Sequence, residues 1–138
     1  MTTSTAIYTA ETHTIGGRLN GTARSSDGRL DIRLAPPGST GSGTNPEQLF
    51  AAGWSACFLG ALGLAAKRSN LRLPDDSAID AQIELCLANG DYFLRGRLTV
   101  NLPGIAREKA QALADAAHQT CPYSKAVRGN IEVAIEVA

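Results

Sequence analysis

The sequence has no charge of one sign to spare. Lys and Arg together number 13 and Asp and Glu number 13, a formal net charge of zero. That balance excludes the basic footprint of a nucleic-acid or anionic-membrane partner. Cysteine is scarce: three residues are too few, and odd in number, for a disulfide framework. A reducing cytoplasm is therefore the expected compartment, and there a cysteine pair is more often catalytic or metal-binding. The start, Met1-Thr2-Thr3-Ser4-Thr5, has neither a basic region nor an apolar run, so no secretory signal is expected. Internal repeats and low-complexity segments are also missing. What remains is a chain of 138 residues, read as one domain over 1–138. That length buries roughly 68–70% of the unfolded surface.

One stretch stands out, from Thr44 to Ala66. Thr44 or Asn45 can cap a helix, Pro46 suits its first position, and Glu47 favours its positive end. The run from Leu49 to Ala66 is apolar, and Lys67-Arg68 suit a helix C-terminus. About 18 apolar residues is the lower limit for a membrane span. This run, however, is rich in Ala and Gly, which insert weakly, and it lacks a flanking aromatic belt. The sequence thus predicts no membrane partner but a soluble core helix, buried on nearly all sides. Ala52, Ala56 and Gly60 would let other backbones approach closely, and Gly60→Leu is expected to overpack such a core.

Around this helix the pattern alternates between strands and helices. Residues from about Ile7 to Leu34 read as short strands broken by Gly16-Gly17 and Ser26-Asp27-Gly28. Arg18 follows the double glycine, where a solvated strand-end charge is the ordinary reading. The stretch Pro36 to Gly43 is a loop, and it lacks the Gly-Lys-Ser/Thr of a phosphate loop. Ile79, Ala81, Ile83, Leu85 and Leu87 alternate with polar neighbours, and Asn89-Gly90-Asp91 turns the chain into a return strand. A second helix is expected from about Ile105 to Gln119, with a stripe of Ala106, Ala110, Leu113 and Ala117. Pro122 ends it at Cys121, a short turn closes at Gly129, and Ile131 to Val137 alternate as a last strand. The fold class is α+β, with antiparallel sheet covering helices.

The thiols differ in setting. Cys57 lies mid-helix in the expected core, Cys121 at a helix end, and Cys86 on the polar face of its strand. A redox cycle uses a shielded nucleophile with a nearby cation and a second thiol that captures its sulfenic acid. Inert burial of both thiols is the commoner use of free cysteine, and spacing leaves both readings open. A zinc site has only His118-x-x-Cys121 as a ligand pair. A Cys–His hydrolase would need His118, which falls off the apolar stripe and reads as solvated.

Two longer motifs go further. Thr44 to Phe58 (TNPEQLFAAGWSACF) and Cys121 to Asn130 (CPYSKAVRGN) closely resemble the cysteine motifs of the organic hydroperoxide resistance proteins. These form the Ohr branch of the Ohr/OsmC superfamily. The Gly16-Gly17-Arg18 and Ser26-Asp27-Gly28 turns and the Ile131-Glu132-Val133 strand also fit, so the resemblance spans the chain. It implies an OsmC-like α+β fold, antiparallel sheets around a long buried central helix, in an intertwined homodimer. It implies a thiol peroxidase that reduces alkyl and fatty-acid-derived hydroperoxides without metal or haem, recycled by dihydrolipoyl groups on lipoylated proteins. By position, Cys57 is the peroxidatic and Cys121 the resolving cysteine, Arg18 stabilises the Cys57 thiolate, and Glu47 orients Arg18. Leu49, Phe50, Trp54 and Phe58 are the expected apolar contacts for the substrate tail. Trp54 stands where Tyr is common, and Lys125-Ala126-Val127 where Asn-Ala-Thr is common. Glu47 and Cys57 are ten residues apart, about 15 Å along a helix. A long side chain such as Arg18 is needed to act between them. A non-catalytic carrier or redox sensor is the rival.

Overall fold

The computed structural model describes residues 3–138. Two compact units divide the chain, one ending at Pro46 and the other spanning Glu47–Ala138.

The N-terminal unit holds β1 (Thr12–Ile15), the single-turn helix α1 (Gly17–Asn20), β2 (Thr22–Ser25) and β3 (Asp31–Arg33). The strands form an antiparallel sheet in the order β1-β2-β3, with His13 opposite Arg24 and Ala23 opposite Ile32. The turn between β2 and β3 is held by Asp27, which accepts from Ser25 Oγ at 2.6 Å and from the Arg29 N–H at 3.0 Å. Such local bonds are why Ser, Asp and Gly punctuate strands. Those two donors also lower the pKa of the Asp27 carboxyl. Arg18 lies within α1 rather than at a strand end, and it is exposed.

The second unit is built on α2 (Pro46–Arg68), which starts at Pro46 as the capping pattern predicts. It is long and apolar enough to cross a membrane by length and composition alone. Its buried residues Trp54, Phe58, Ala61, Leu62 and Ala65 follow the spacing of one helical face. Ala52, Ala56, Gly60 and Leu64 line another, and these are exposed, Leu64 at 45%. Within this chain, then, α2 is covered on one side, not on nearly all sides. A Cβ added at Gly60 would meet nothing within 4 Å, so the overpacking expected there does not arise within the chain. An Ala/Gly-rich run with half-buried Ser55 as its one polar residue has no polar stripe to mark its open face, which is why periodicity does not separate the two sides.

β4 (Ala78–Ala88) and β5 (Asp91–Asn101) form the expected antiparallel hairpin, with Ile79 opposite Val100 and Cys86 opposite Phe93. Asn89 and Gly90 both take positive φ, 53° and 77°, as a two-residue hairpin turn demands. Then α3 (Arg107–Thr120) and α4 (Pro122–Val127) carry the chain to β6 (Glu132–Val137). β6 pairs with β5 in parallel, so this sheet is mixed rather than wholly antiparallel. The reason is the connection: a strand reached through a helical crossover returns in the same direction. One face of the sheet carries the ion pairs Arg95–Glu84 (3.3 Å), Arg95–Glu132 (3.9 Å) and Arg97–Glu136, all part-exposed. Such surface pairs contribute ~0–1 kcal/mol each. The other face joins the core of this unit, where Trp54, Phe58 and Leu62 meet Leu98, Val100, Leu113 and Ala117. Gly96 in β5 makes that packing possible: a Cβ there would stand 2.5 Å from Cζ3 of the Trp54 indole.

Candidate active site

Proline after cysteine sets up this site. Cys121 cannot stay helical before Pro122, and it takes an extended conformation (φ −62°, ψ 121°) that joins α3 to α4. Its N–H still closes the last turn of α3 on the Ala117 carbonyl at 2.8 Å. The corner turns the Cys121 thiol inward, where it is fully buried. The Cys121 and Cys57 sulfurs are 3.2 Å apart, both as free thiols. Their settings reverse the sequence expectation in one respect: Cys121 is the enclosed thiol and Cys57 is only partly buried.

Burial pushes the Cys57 thiol up from its ordinary value, the Tyr123 backbone hydrogen bond acts against it, and the Cys121 sulfur pushes it up again. A thiolate at Cys57 therefore calls for further positive charge than this unit's backbone gives.

Of the expected apolar contacts, Leu49 and Phe50 are half-buried, while Trp54 and Phe58 are fully enclosed in the core. Phe50 stands edge-on to Trp54 (centroids 6.0 Å apart) and to Tyr123 (6.3 Å), and Tyr123 is partly exposed. Glu47 sits in the first turn of α2, and Arg18 belongs to the N-terminal unit. Cys86 is half-buried on the ion-paired face of the sheet, its sulfur 3.9 Å from the Glu84 carbonyl. Among the described residues no three His, Cys, Asp or Glu side chains gather as a metal-ligand group.

Sequence reasoning gave no role to Tyr123 or Ser124 and read His118 as solvated. Tyr123 gives its backbone hydrogen bond to Cys57, and buried Ser124 Oγ accepts from Trp54 Nε1 at 3.1 Å. Both follow Cys121-Pro122 directly, which was the available signal. His118 is half-buried rather than solvated: its ring lies 6.4 Å from Phe58, and its buried Nδ1 has no hydrogen-bond partner among the described residues. The stripe of α3 alone hides this, because Phe58 comes from another helix.

Burial first, then Arg128, hold the His118 pKa below its ordinary value, and Asp115 opposes them. The unfolded chain therefore takes up this proton at higher pH than the folded one. Stability from His118 is complete above about pH 6.5 and is lost as pH falls from there through the folded pKa. Thermal midpoints between pH 7.5 and 5.5 should fall more steeply for the wild type than for His118→Gln. Equal slopes would mean that His118 does not carry the acid sensitivity.

Comparison with known proteins identifies the family. The family model "OsmC-like protein" matches residues 39–136. The organic hydroperoxide resistance protein OhrB of Bacillus subtilis is 45% identical over 137 residues, 96% of this chain and 98% of that protein. That of Xanthomonas axonopodis pv. citri is 44% identical over 136 residues, covering 96% and 95%. The crystal structure of B. subtilis OhrB superposes with a TM-score of 0.90, over 96% of this chain and 100% of that one. A Legionella pneumophila organic hydroperoxide resistance protein superposes at 0.89 with 38% identity, over 97% and 99%. With the fold shared, the family model matched over most of the chain and near-complete coverage of these relatives, the chain belongs to the OsmC family, in its organic hydroperoxide resistance branch.

Proposed function

We propose that this protein gives resistance to organic hydroperoxides as a cysteine-based peroxidase, reducing alkyl and fatty-acid-derived hydroperoxides to alcohols. The observation that carries the reading is the 3.2 Å contact of Cys57 with the enclosed Cys121. The Cys57 thiolate attacks the terminal peroxide oxygen, the O–O bond breaks, and the alkoxide leaves as the alcohol after taking a proton. Cys57 is then a sulfenic acid. The Cys121 sulfur attacks it, water leaves, and a Cys57–Cys121 disulfide forms before further oxidation. An external dithiol, of the dihydrolipoyl type, attacks the disulfide and restores both thiols as it is itself oxidised. The protein's share needs no metal or haem.

Because burial raises the Cys57 pKa, a permanent cation is needed, and we assign that task to Arg18, oriented by Glu47. Arg18→Ala should move the pH profile of Cys57 alkylation to higher pH. A profile identical to wild type would remove Arg18 from the mechanism. The half-buried Leu49 and Phe50 are the first contacts for an alkyl tail, each buried CH₂ adding about 0.8 kcal/mol. Enclosed Trp54 and Phe58 shape the wall behind them.

The functional form is a homodimer. The exposed α2 face (Ala52, Ala56, Gly60, Leu64) and the apolar hairpin tip (Leu85, Leu87, and Tyr92 at 67% exposure) support this. Cytoplasm is the compartment in which a dithiol-recycled thiol pair stays reduced. The deciding experiment is turnover coupled to dihydrolipoamide, comparing a lipid hydroperoxide with hydrogen peroxide. Sustained, preferential consumption of the lipid hydroperoxide is expected. A single stoichiometric response would indicate a sensor instead.

A further inference from the structure

Two cross-links join the cysteine segments. Besides the sulfur contact, Trp54 Nε1 donates to Ser124 Oγ at 3.1 Å, and both side chains are fully buried. Trp54 precedes Cys57 by three residues, and Ser124 follows Cys121 by three. Residues three apart on a helix share a face, about 4.5 Å apart along the axis. The two contacts are therefore successive rungs between antiparallel segments. Ser124 is tied to the Cys121 corner through main-chain bonds: the Lys125 N–H reaches the Cys121 carbonyl at 3.0 Å, and the Arg128 N–H reaches the Ser124 carbonyl at 2.8 Å.

The Trp54 end is equally fixed. Its indole lies over Gly96, so closely that no Cβ fits between strand and ring. An indole N–H only donates, so Ser124 Oγ accepts and stays free to donate its own proton. A slide of α4 by one residue would break this bond and the sulfur contact together.

We propose that the Trp54–Ser124 bond is the positioning device that registers Cys121 on Cys57, and that it governs closure of the disulfide rather than the first oxidation. Ser124 and Trp54 act here as positioning residues, through the backbone that carries each thiol. The inference rests on the peroxidase reading for its place in the cycle, but closure itself is measurable without any hydroperoxide.

The test equilibrates the full-length protein with reduced and oxidised dithiothreitol and reads the fraction of Cys57–Cys121 disulfide. Ser124→Ala should lower the disulfide-forming equilibrium constant roughly 5- to 10-fold, the scale of one lost hydrogen bond. Trp54→Phe should remove the same bond, so the double variant should lose little more than either single one. In stopped-flow oxidation with cumene hydroperoxide, Ser124→Ala should form Cys57 sulfenic acid at the wild-type rate and then convert it to disulfide several-fold more slowly. An unchanged disulfide equilibrium, or fully additive losses, would overturn the proposal. So would equal slowing of both oxidation steps, which marks general loosening. Loss of sulfenic acid formation in the wild type would instead strike the peroxidase reading, leaving the dithiothreitol result to judge the brace.

Discussion

Cys57→Ser is expected to abolish catalysed hydroperoxide consumption, leaving only the uncatalysed rate. The attacking species is a thiolate, and a serine hydroxyl does not ionise in the range where a thiol does. The informative contrast is Cys121→Ser. That variant keeps the nucleophile, so it should release one equivalent of alcohol and then stall with Cys57 as sulfenic acid. With excess hydroperoxide, the stalled form should climb to the irreversible sulfinic acid, since the thiol that lies 3.2 Å away in the wild type is gone. Intact-mass spectrometry reads each step as one added oxygen. If Cys57→Ser consumes cumene hydroperoxide at the wild-type rate, the assignment of the nucleophile is wrong.

Gly96→Ala should be the most damaging single-methyl change in the sheet. The new Cβ would stand 2.5 Å from Cζ3 and 3.1 Å from Cη2 of Trp54, whose indole is fully enclosed and bonded to Ser124. A flexible side-chain tip would swing aside, but this ring has its N–H committed and its faces packed. Overpacking of this kind costs about 1–3 kcal/mol, a fall in Tm of roughly 3–10 °C at this chain length. Pairing it with Trp54→Phe, which deletes the colliding half of the ring, should recover part of the loss. The sum of the single effects should therefore exceed that of the double variant. A Gly96→Ala protein as stable as wild type would show that Trp54 is not held as rigidly as its contacts indicate.

The elements were legible where local chemistry acts alone. Pro46 starts α2, Asn89-Gly90 turns the hairpin, and the alternation from Ile79 to Val100 sets its register. Pro122, two residues beyond the last helical position Thr120, ends α3. The direction of β6 was not legible, because a strand's sequence carries no mark of whether its neighbour runs with or against it. His118 was misjudged for a related reason. Its own helix gives it a polar address, and Phe58, 60 residues earlier, packs beside its ring.

The sequence by itself determined the residue types and the two motifs: a cysteine mid-helix, a cysteine braked by proline, and the family they mark. Only the tertiary structure decided which thiol is enclosed, that Cys121 already touches Cys57, and that Trp54 and Ser124 form the second rung between them. The physical reason is separation along the chain. Cys57 and Cys121 are 64 residues apart and Trp54 and Ser124 are 70 apart, so no local propensity links them. They meet because α2, α3 and β5 bury their apolar faces in one core, and the Cys121 corner is carried in with them.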